Sequence, residues 1–361
     1  MTSHPTAETA TTVRPSVVGA TVTYASRARS CRATVEALLA QGVESVIIVD
    51  NGSTPDAQRE LRELVAEYES RVLCHRLDRN EGSAPAFGLA IALARDSGAE
   101  YVWLLDDDNL PEPGALDSLI AEERRLWDAG TVPCAVAPVR APSAEPDEVA
   151  ETIASELSRE QPEANRSFAG VEVGLFARRA LERLGLRRTV PRTSGDLPYA
   201  PYGGLLMRTA ATRAIGDPDA DLVLYGDDLE YTSRIVAAGG RIVLTPRAVV
   251  VDPRGERWMP PGFEVLAMFR STNDALLYYS LRNRVHRELR IGKRWSRDRV
   301  LNGALFAALC LVCMAVTRRA DKARVIRTAV DDAIAGPARA PRRVLSRPRT
   351  GPRHGQDRRR A

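Results

Sequence analysis

The sequence predicts an α/β fold built around a doubly wound sheet. Over residues 17–127, short apolar segments rich in β-branched side chains alternate with amphipathic segments of helical period. This alternation is typical of parallel strands covered by helices on both faces of the sheet. The 361 residues, 44% of them hydrophobic, allow one large or two modest domains and exclude a mostly disordered, collagen-like or disulfide-scaffold protein.

The first part of the sequence carries four predicted strands, and a predicted helix follows each of them. The strands are expected at residues 17–24, 46–49, 71–76 and 101–105, and the helices at about 30–41, 57–69, 84–97 and 114–127. Pro111 and Pro113 end the last extended segment, because proline cannot donate a hydrogen bond to a strand ladder.

The second part of the sequence is less regular. Residues 142–166 are acidic and predict a surface helix with a loop. Apolar segments follow at 171–176 and at 202–207, the second opened by two glycines. A predicted helix from 226 to about 238 and a predicted strand at 241–251 complete the domain.

The formal net charge of +4 hides an uneven distribution. Residues 282–327 contain 13 basic and 3 acidic residues, and residues 337–361 contain nine Arg and one Asp. Residues 1–281 therefore carry a net charge of −12. The near balance of the whole chain argues against a nucleic-acid binder, and its distribution indicates an acidic body joined to a basic end.

The cysteines and the first residues of the chain bear on the cellular compartment in which the protein is expected. Five cysteines without regular spacing disfavour a disulfide framework and favour a reducing compartment. Cys310 and Cys313 lie in an apolar run with no second ligand pair, so we interpret them as buried hydrophobic side chains. Residues 1–15 lack the charged and apolar regions of a secretory signal and are expected to form a loose tail.

Polar residues directly follow three of the predicted strands. Thr23 and Tyr24 close the first strand, residues 50–53 (DNGS) follow the second, and the aspartates 106–108 follow the fourth. Ligands of such sheets bind at the carboxyl ends of the strands. These residues are therefore candidates for a single site.

Three consecutive aspartates repel one another unless a positive charge is close to them. Asp106 and Asp108 offer hard oxygen ligands suited to Mg²⁺ or Mn²⁺, which would share a diphosphate. The alternative is a solvated acidic turn or helix cap. A second acidic cluster, Asp227, Asp228 and Glu230, favours the metal interpretation, although acids at a helix start are favourable in themselves. Together the clusters predict a metal–diphosphate site with a base.

Two further segments are candidates for nucleotide contacts. Asp50 would accept hydrogen bonds from a base or ribose, or else form an Asx or Asn-Gly turn. The segment around Gly82 precedes a predicted helix, so its backbone N–H groups would face a phosphate or ribose. Neither G-x-G-x-x-G after the first strand nor a P-loop is present, which disfavours dinucleotide binding and P-loop chemistry.

Seven segments, in their order along the chain, resemble the inverting family 2 glycosyltransferases of GT-A fold. The segments are TVTY (21–24), VDNGS (49–53), NEGSAPAFG (80–88), WLLDDD (103–108), YGGLLMR (202–208), GDDLEYTSRI (226–235) and YYSLRNR (278–284). Within the family, the resemblance is to bacterial galactofuranosyl- and rhamnosyltransferases that act on lipid-linked cell-wall glycans. It covers about residues 16–290 and implies a doubly wound mixed sheet with a C-terminal helical extension.

The resemblance, applied position by position, implies how a nucleotide-sugar donor would be held. Thr23, Tyr24 and Asp50 would hold the base and ribose of UDP-galactofuranose or dTDP-rhamnose. Asp106 and Asp108 would bind ribose, diphosphate and Mg²⁺ or Mn²⁺. Gly82 and Asp107 are counted with the donor-binding residues.

The resemblance also implies the acceptor side of the reaction. Asp228, with Asp227 beside it, would be the general base, and Glu230 would help to position the acceptor. A single in-line displacement at the anomeric carbon would follow. Arg282 and Arg284 would cover the diphosphate, or else belong to a solvated basic helix face.

One position departs from the family pattern. Many members carry a histidine after the strand that corresponds to 241–251, where it completes the metal shell. Asp252 stands in that segment here. It would serve as an oxygen ligand in place of the histidine, or the ligand is missing.

The basic end predicts contact with a membrane. Residues 301–316 are apolar and flanked by arginines, but they are shorter than the roughly 20 residues that span a bilayer. An interfacial helix on an anionic surface, or a core helix packed on the protein, fits this length. We therefore expect a catalytic domain at 16–281, a membrane-associating helical segment at 282–335, a disordered tail at 336–361, and a position on the cytoplasmic face of the cell membrane.

Two other functions stay open from the sequence. A nucleotidyltransferase also uses acidic metal sites, but residues 25–29 (ASRAR) match its triphosphate loop poorly. A non-catalytic protein tethered to a membrane by the basic end is the other alternative.

Overall fold

The computed structural model describes residues 14–158, 165–186, 195–252, 264–291 and 293–336. The strands are β1 (Val17–Ala25), β2 (Ser45–Ser53), β3 (Val72–Leu77), β4 (Tyr101–Asp106), β5 (Leu110–Pro111), β6 (Cys134–Ala141), β7 (Asp196–Leu197), β8 (Leu205–Arg208) and β9 (Arg241–Val251). The helices are α1 (Ala28–Ala40), α2 (Pro55–Tyr68), α3 (Ser83–Asp96), α4 (Ala115–Asp128), α5 (Pro146–Ser158), α6 (Val173–Arg183), α7 (Thr209–Ile215), α8 (Asp227–Ala237), α9 (Glu264–Arg270), α10 (Asp274–Arg290), α11 (Arg297–Thr317) and α12 (Ala320–Ala335). Single 3₁₀ turns lie at Glu69–Arg71 and Ala220–Leu222.

All the described strands form one mixed sheet. Its order is β3-β2-β1-β4-β8-β6-β9-β5, and β7 pairs with β9. The strands β3, β2, β1 and β4 are parallel, whereas β8 runs antiparallel to both β4 and β6. The predicted α/β fold, with a doubly wound mixed sheet and a helical C-terminal part, is confirmed.

This topology brings the carboxyl ends of six described strands to one edge of the sheet. Since β8 is antiparallel to both of its neighbours, β6 has the same direction as β4, and β9 is parallel to β6. The carboxyl ends of β1, β2, β3, β4, β6 and β9 therefore lie along the same edge. The predicted strand-end residues stand there, and so does the end of β6, which no sequence pattern predicts.

Among the described residues, buried apolar side chains form three cores that pack against the helices. The first lies between one face of the sheet and α1, α2 and α4, and includes Leu38 and Trp103. The second covers the other face under α3 and α8, and includes Phe87 and Tyr231. Alternate residues of β2 face the two cores, as a strand buried on both faces requires. The third core lies among α9–α12 and includes Phe306.

The C-terminal helices differ from the predicted segments in their limits. The boundary predicted between residues 281 and 282 falls within α10, which shares the third core with α9, α11 and α12. The predicted tails at 1–15 and 336–361 lie outside the described residues, except for residues 14, 15 and 336. Within the described residues, α11 is the one helix whose length and apolar composition would suffice to cross a membrane.

Polar side chains fix the first turns of α11 to the rest of the protein. Arg299 is fully buried and donates to the backbone carbonyls of Ile291 at 3.0 Å and Lys293 at 2.7 Å. The side chain of Asn302 accepts from the Val173 N–H and donates to the Arg166 carbonyl, each at 2.9 Å. One face of α11 therefore packs against the rest of the protein.

Candidate active site

Asp107 is the buried member of the three consecutive aspartates after β4. Its side chain is 3% exposed and accepts a hydrogen bond from the Thr23 hydroxyl at 2.7 Å. Its two carboxylate oxygens share the single N–H of Arg27 Nε, at 2.8 and 2.9 Å. Burial raises the pKa of Asp107, and the hydrogen bonds from Arg27 and Thr23 oppose that shift. Asp107 therefore ties the ends of β1 and β4 together inside the protein.

Arg27 connects two of the aspartates with the end of β1. Its Nη2 donates to Asp108 Oδ2 at 2.7 Å, and its guanidinium lies 5.3 Å from the centre of the exposed Tyr24 ring. Burial acts to lower the pKa of Arg27, but its hydrogen bonds to Asp107 and Asp108 raise it overall. Sequence reasoning missed this residue, because nothing in the loop after β1 indicates which of its arginines turns inward.

A second arginine, Arg140 at the end of β6, lies among the remaining carboxylates. Its Nη2 donates to Asp252 Oδ2 at 2.6 Å and approaches Asp106 Oδ2 at 3.4 Å. Burial raises the pKa of Asp228, and the positive charge of Arg140 is among the effects that oppose this shift. The structure thus brings the predicted residues Asp106, Asp228 and Asp252 together around a cation that the sequence patterns did not indicate.

The Asp106 side chain is more accessible than that of Asp252, with 40% of it exposed against 17%. Its pKa is nevertheless raised to about 6, because it is recessed among protein atoms and because Asp228, Asp108 and Asp252 are close, an effect that Arg140 partly offsets. The negative charges are therefore only partly compensated by the protein.

The predicted metal ligands do not by themselves form a closed site. Among the described residues, no three His, Cys, Asp or Glu side chains converge in a way that would hold a metal ion. Asp106 and Asp108 do offer the hard oxygen atoms that Mg²⁺ and Mn²⁺ prefer, and Mg²⁺ sites commonly combine one or two carboxylates with substrate phosphates. Two carboxylates fit such a shared site. The role of Asp252 as a third ligand stays a prediction.

The other pair of predicted acids opens α8. Asp227 is buried, and one of its carboxylate oxygens has no hydrogen-bond partner among the described residues. Burial and the charge of Asp228 raise the pKa of Asp227 well above its usual range, against a hydrogen bond from Ser83. Burial also raises the pKa of the half-buried Asp228, against the Leu229 N–H, Arg140 and Arg287. Asp227 and Asp228 are therefore neighbouring acids, and the ionised form of each is disfavoured.

Helix α10 holds the loop that precedes these acids. The side-chain amide of Asn283, fully buried, donates to the carbonyls of Leu222, Leu224 and Tyr225 at 2.7–2.9 Å. Arg282 is also buried and donates to the Leu222 carbonyl at 2.8 Å. The structure gives Arg282 a part in shaping this loop, and its predicted contact with a diphosphate stays a prediction.

Arg284 and Glu230, which the sequence also singles out, are engaged in ion pairs. Arg284 forms a close ion pair with Glu264, and Glu230 is buried with Arg234 Nη2 at 2.6 Å. Charges of Glu264 and Glu288 raise the pKa of Arg284 although burial acts to lower it. Their predicted roles, at the diphosphate and at the acceptor, are not tested by these contacts.

The candidate nucleotide-binding segments meet at the end of β2. Asp50 is buried, and its carboxylate accepts a hydrogen bond from the Ser53 N–H, three residues further on, at 2.8 Å. Its predicted contact with a base or ribose stays a prediction. Asn51 joins β2 to the next loop, donating to the Gly82 carbonyl at 2.9 Å and accepting from the Glu81 N–H at 2.9 Å. Gly82 has φ +101° and would place a Cβ 2.3 Å from the Val223 carbonyl oxygen.

Comparison with known proteins assigns the class of this domain. Residues 20–160 match the family model "Glycosyl transferase family 2", which covers β1 through α5 and therefore includes Asp50 and the three aspartates. Residues 20–160 thus carry a family 2 glycosyltransferase domain, as the motifs predict.

Individual relatives are galactofuranosyltransferases. The chain is 28% identical over 204 residues to galactofuranosyltransferase GlfT1 of Mycobacterium tuberculosis, an alignment that covers 54% of this chain and 56% of the relative. It is 29% identical over 204 residues to GlfT1 of Mycolicibacterium smegmatis, covering 57% of that protein. The chain therefore spans little more than half the length of the curated relatives that it matches.

Solved structures of similar shape are glycosyltransferases. GalNAc-T7 with UDP, GalNAc and Mn²⁺ superposes with a TM-score of 0.49 and 15% identity, over 77% of this chain and 48% of that one. The mannosyltransferase PcManGT from Pyrobaculum calidifontis, in complex with GDP-Man and Mn²⁺, gives a TM-score of 0.47 and 18% identity over 90% and 88% of the two chains. TarS of S. aureus gives 0.44 and 13%, over 88% and 55%.

Proposed function

We propose that this protein is a metal-dependent, inverting glycosyltransferase. It would move galactofuranose or rhamnose from a nucleotide-diphosphate donor to a hydroxyl of a lipid-linked cell-envelope glycan. The observation that carries this proposal is the convergence of Asp106, Asp228 and Asp252 at the carboxyl edge of the sheet of a family 2 domain. The kinship to galactofuranosyltransferases favours a furanosyl donor.

Asp228 is the general base of the proposed reaction. Burial raises its pKa, so its carboxylate accepts a proton near neutral pH more readily than an ordinary aspartate does. In the reaction, Asp228 takes the proton of the acceptor hydroxyl, and the acceptor oxygen forms a bond to the anomeric carbon. The bond from that carbon to the diphosphate oxygen breaks in the same step. The nucleoside diphosphate leaves, and the anomeric configuration inverts.

The donor would lie across the ends of β1, β2 and β4. Tyr24 is exposed at this edge and carries the Arg27 guanidinium beside its ring, which leaves an aromatic surface for a base. Asp50 and the loop at Gly82 would border the ribose. A divalent metal bound by Asp106 and Asp108 would offset negative charge on the diphosphate.

A donor screen tests the proposal. The purified full chain would be incubated with UDP-galactofuranose, dTDP-rhamnose and UDP-hexoses, in Mg²⁺, in Mn²⁺ and in EDTA, and nucleoside diphosphate release would be measured. We expect release from one furanosyl or rhamnosyl donor, at least tenfold faster with metal than in EDTA. No transfer to an acceptor and no hydrolysis of any donor would contradict the proposal.

The same proposal places the protein on an anionic membrane surface at the cytoplasmic face. The side of α11 that faces away from the third core exposes apolar side chains at helical spacing, among them Val300, Leu301, Leu311, Val312 and Val316. The exposed basic residues Lys293, Arg294 and Arg297 precede this stripe, and Arg318 follows it. An apolar stripe with basic ends is typical of a helix that lies in the plane of a membrane.

Sedimentation with lipid vesicles tests this placement. We expect the protein to bind vesicles containing phosphatidylglycerol and to bind pure phosphatidylcholine vesicles less. The double variant Leu301→Glu, Leu311→Glu should lose vesicle binding, because it places charges in the stripe. Leu184→Glu, at an exposed leucine outside the stripe, is the matched control. Equal sedimentation of the double variant and the control would contradict the placement.

A further inference from the structure

Arg140 occupies the centre of the carboxylate group at the edge of the sheet. It is the penultimate residue of β6, which lies beside β9 and one strand away from β4. Its Nη2 is 2.6 Å from Asp252 Oδ2 and 3.4 Å from Asp106 Oδ2. The guanidinium therefore stands between two carboxylates that the sequence predicts as ligands of one metal ion.

The local structure leaves room for this guanidinium. A Cβ atom at Gly203 would lie 2.8 Å from Arg140 Cζ and 3.0 Å from its Nε. The same Cβ would lie 2.4 Å from Asn109 Oδ1. A side chain at position 203 would therefore have to displace the Arg140 guanidinium or the Asn109 side chain.

The hydrogen-bonding capacity of Arg140 is not exhausted. Its Nε is buried and has no hydrogen-bond partner among the described residues. The side chain remains 27% exposed toward the edge of the sheet. A guanidinium carries five N–H donors in a planar fork that matches phosphate oxygens. Arg140 therefore has both the access and the donors to bind an anion beside the carboxylates.

Electrostatics argue against one metal ion shared by Asp106 and Asp252. The Arg140 guanidinium already lies between these carboxylates, and a divalent cation held by both would face its positive charge at close range. The shorter of the two contacts is that with Asp252. If a metal takes Asp106, repulsion leaves Arg140 paired with Asp252.

We propose that Arg140 binds the diphosphate of the donor and that Asp252 orients Arg140 instead of ligating the metal. This inference rests on the proposed function. In this arrangement, two groups bring positive charge to the diphosphate: a metal held by Asp106 and Asp108, and the Arg140 guanidinium at the end of β6. The arginines that the sequence indicates for this task are engaged elsewhere, Arg282 with loop carbonyls and Arg284 with Glu264.

The test compares nucleotide and metal binding in the full chain. UDP and dTDP, together with uridine and thymidine, are titrated by calorimetry in the presence of Mg²⁺. Mn²⁺ without nucleotide is titrated by electron paramagnetic resonance. The variants are Arg140→Gln, Arg140→Lys and Asp252→Asn, and Arg95→Gln, which loses an ion pair with Asp217, is the control. Thermal melting confirms that each variant is folded.

Arg140→Gln should weaken binding of the preferred nucleoside diphosphate at least tenfold and leave nucleoside binding unchanged, because only the phosphate contact is lost. Arg140→Lys should bind the nucleoside diphosphate with an affinity between those of the wild type and Arg140→Gln. Lysine keeps the positive charge but lacks the planar set of N–H donors of a guanidinium. Arg140→Gln should also tighten Mn²⁺ binding, because a competing cation is gone. Asp252→Asn should weaken binding of the nucleoside diphosphate a few-fold and leave Mn²⁺ binding unchanged.

Two results would overturn the inference. One is diphosphate binding by Arg140→Gln equal to that of the control. The other is a loss of Mn²⁺ affinity of tenfold or more in Asp252→Asn, which would make Asp252 a metal ligand. A wild-type protein that binds neither UDP nor dTDP would instead contradict the proposed function itself, and the role of Arg140 with it.

Discussion

The three consecutive aspartates after β4 have three different environments. Asp107 is buried with Thr23 and Arg27, Asp108 shares Arg27, and Asp106 is recessed beside Arg140. The sequence predicts that such a run needs positive charge nearby. It does not reveal that two arginines supply part of this charge, because Arg27 lies in the loop after β1 and Arg140 lies in β6, and only the folded sheet brings them close to the end of β4.

Removal of Arg27 should therefore cost more stability than the loss of a surface charge. Arg27→Ala leaves the buried Asp107 carboxylate without its main cation, and we expect a loss of about 3 kcal/mol in the free energy of unfolding. Arg29→Ala, at an exposed arginine two residues away, should change it by less than about 0.5 kcal/mol. Urea denaturation measures both values, and equal losses would contradict the assigned role of Arg27.

Asp227 gives a pH-dependent prediction. Its pKa is raised in the folded protein, so its ionisation opposes folding, and stability falls as pH rises above the pKa of the unfolded chain. The asparagine side chain of Asp227→Asn is neutral at every pH, so this variant does not lose stability through ionisation at position 227. The variant should gain stability over the wild type between pH 5 and pH 8, by about 1.4 kcal/mol for each unit of pKa difference. Thermal melting across this range measures the gain, and a constant difference would refute it.

At the scale of elements, α10 determines where the acids of α8 stand. The sequence predicts the start of α8 within two residues, because Gly226 and the acids behind it form a recognisable helix start. It does not predict that Asn283 on α10 holds the carbonyls of the preceding loop. Val223 and Tyr225 in that loop have φ of +62° and +61°, so the loop needs such support.

Substitution of Asn283 should thus affect activity more than its effect on stability explains. Asn283→Ala removes three donated hydrogen bonds and leaves buried carbonyls unpaired, and we expect a loss of about 2 kcal/mol in the free energy of unfolding. Asn273→Ala is the control, because it removes the N-terminal cap of the same helix, roughly 15 Å from Asn283 along the helix axis. It should lower the free energy of unfolding by about 1 kcal/mol. Donor turnover should fall at least tenfold in the first variant only. Comparable turnover in both would mean that the loop does not depend on Asn283.

The turn before α3 provides a second prediction at this scale. In Gly82→Ala, the strain of φ +101° is added to a clash of the new Cβ with the Val223 carbonyl. Gly98 has φ +79° but open space around it, so Gly98→Ala isolates the strain alone. We expect Gly82→Ala to lose at least about 2 kcal/mol more than Gly98→Ala in urea denaturation. Equal losses would show that the loop yields to a side chain.

At the scale of the whole molecule, the sequence predicts the first half of the sheet well and the second half less well. The four alternating strands and helices appear near their expected positions, because each buried strand is a short apolar run. No pattern predicts β6, whose sequence CAVAPVRA contains Pro138 and three alanines. Arg140, the residue that this strand carries to the site, was missed for the same reason.

The charge asymmetry also has a structural counterpart. The carboxylates of the site stand at one edge of the sheet, whereas the basic residues collect around α10, α11 and α12. Buried members of the basic set, such as Arg282 and Arg299, hold backbone carbonyls inside the protein. The basic end is therefore partly a structural element, and its exposed arginines border the apolar stripe of α11.

Asp228→Asn provides the most direct measurement of the central claim, that this edge of the sheet performs glycosyl transfer with Asp228 as base. Donor binding and transfer by this variant would be compared with those of the wild type and of Asp217→Asn, which alters an exposed carboxylate. We expect Asp228→Asn to bind the donor as the wild type does and to lose transfer by a factor of about 10²–10⁴. Transfer by Asp228→Asn at the rate of the Asp217→Asn control would contradict the account.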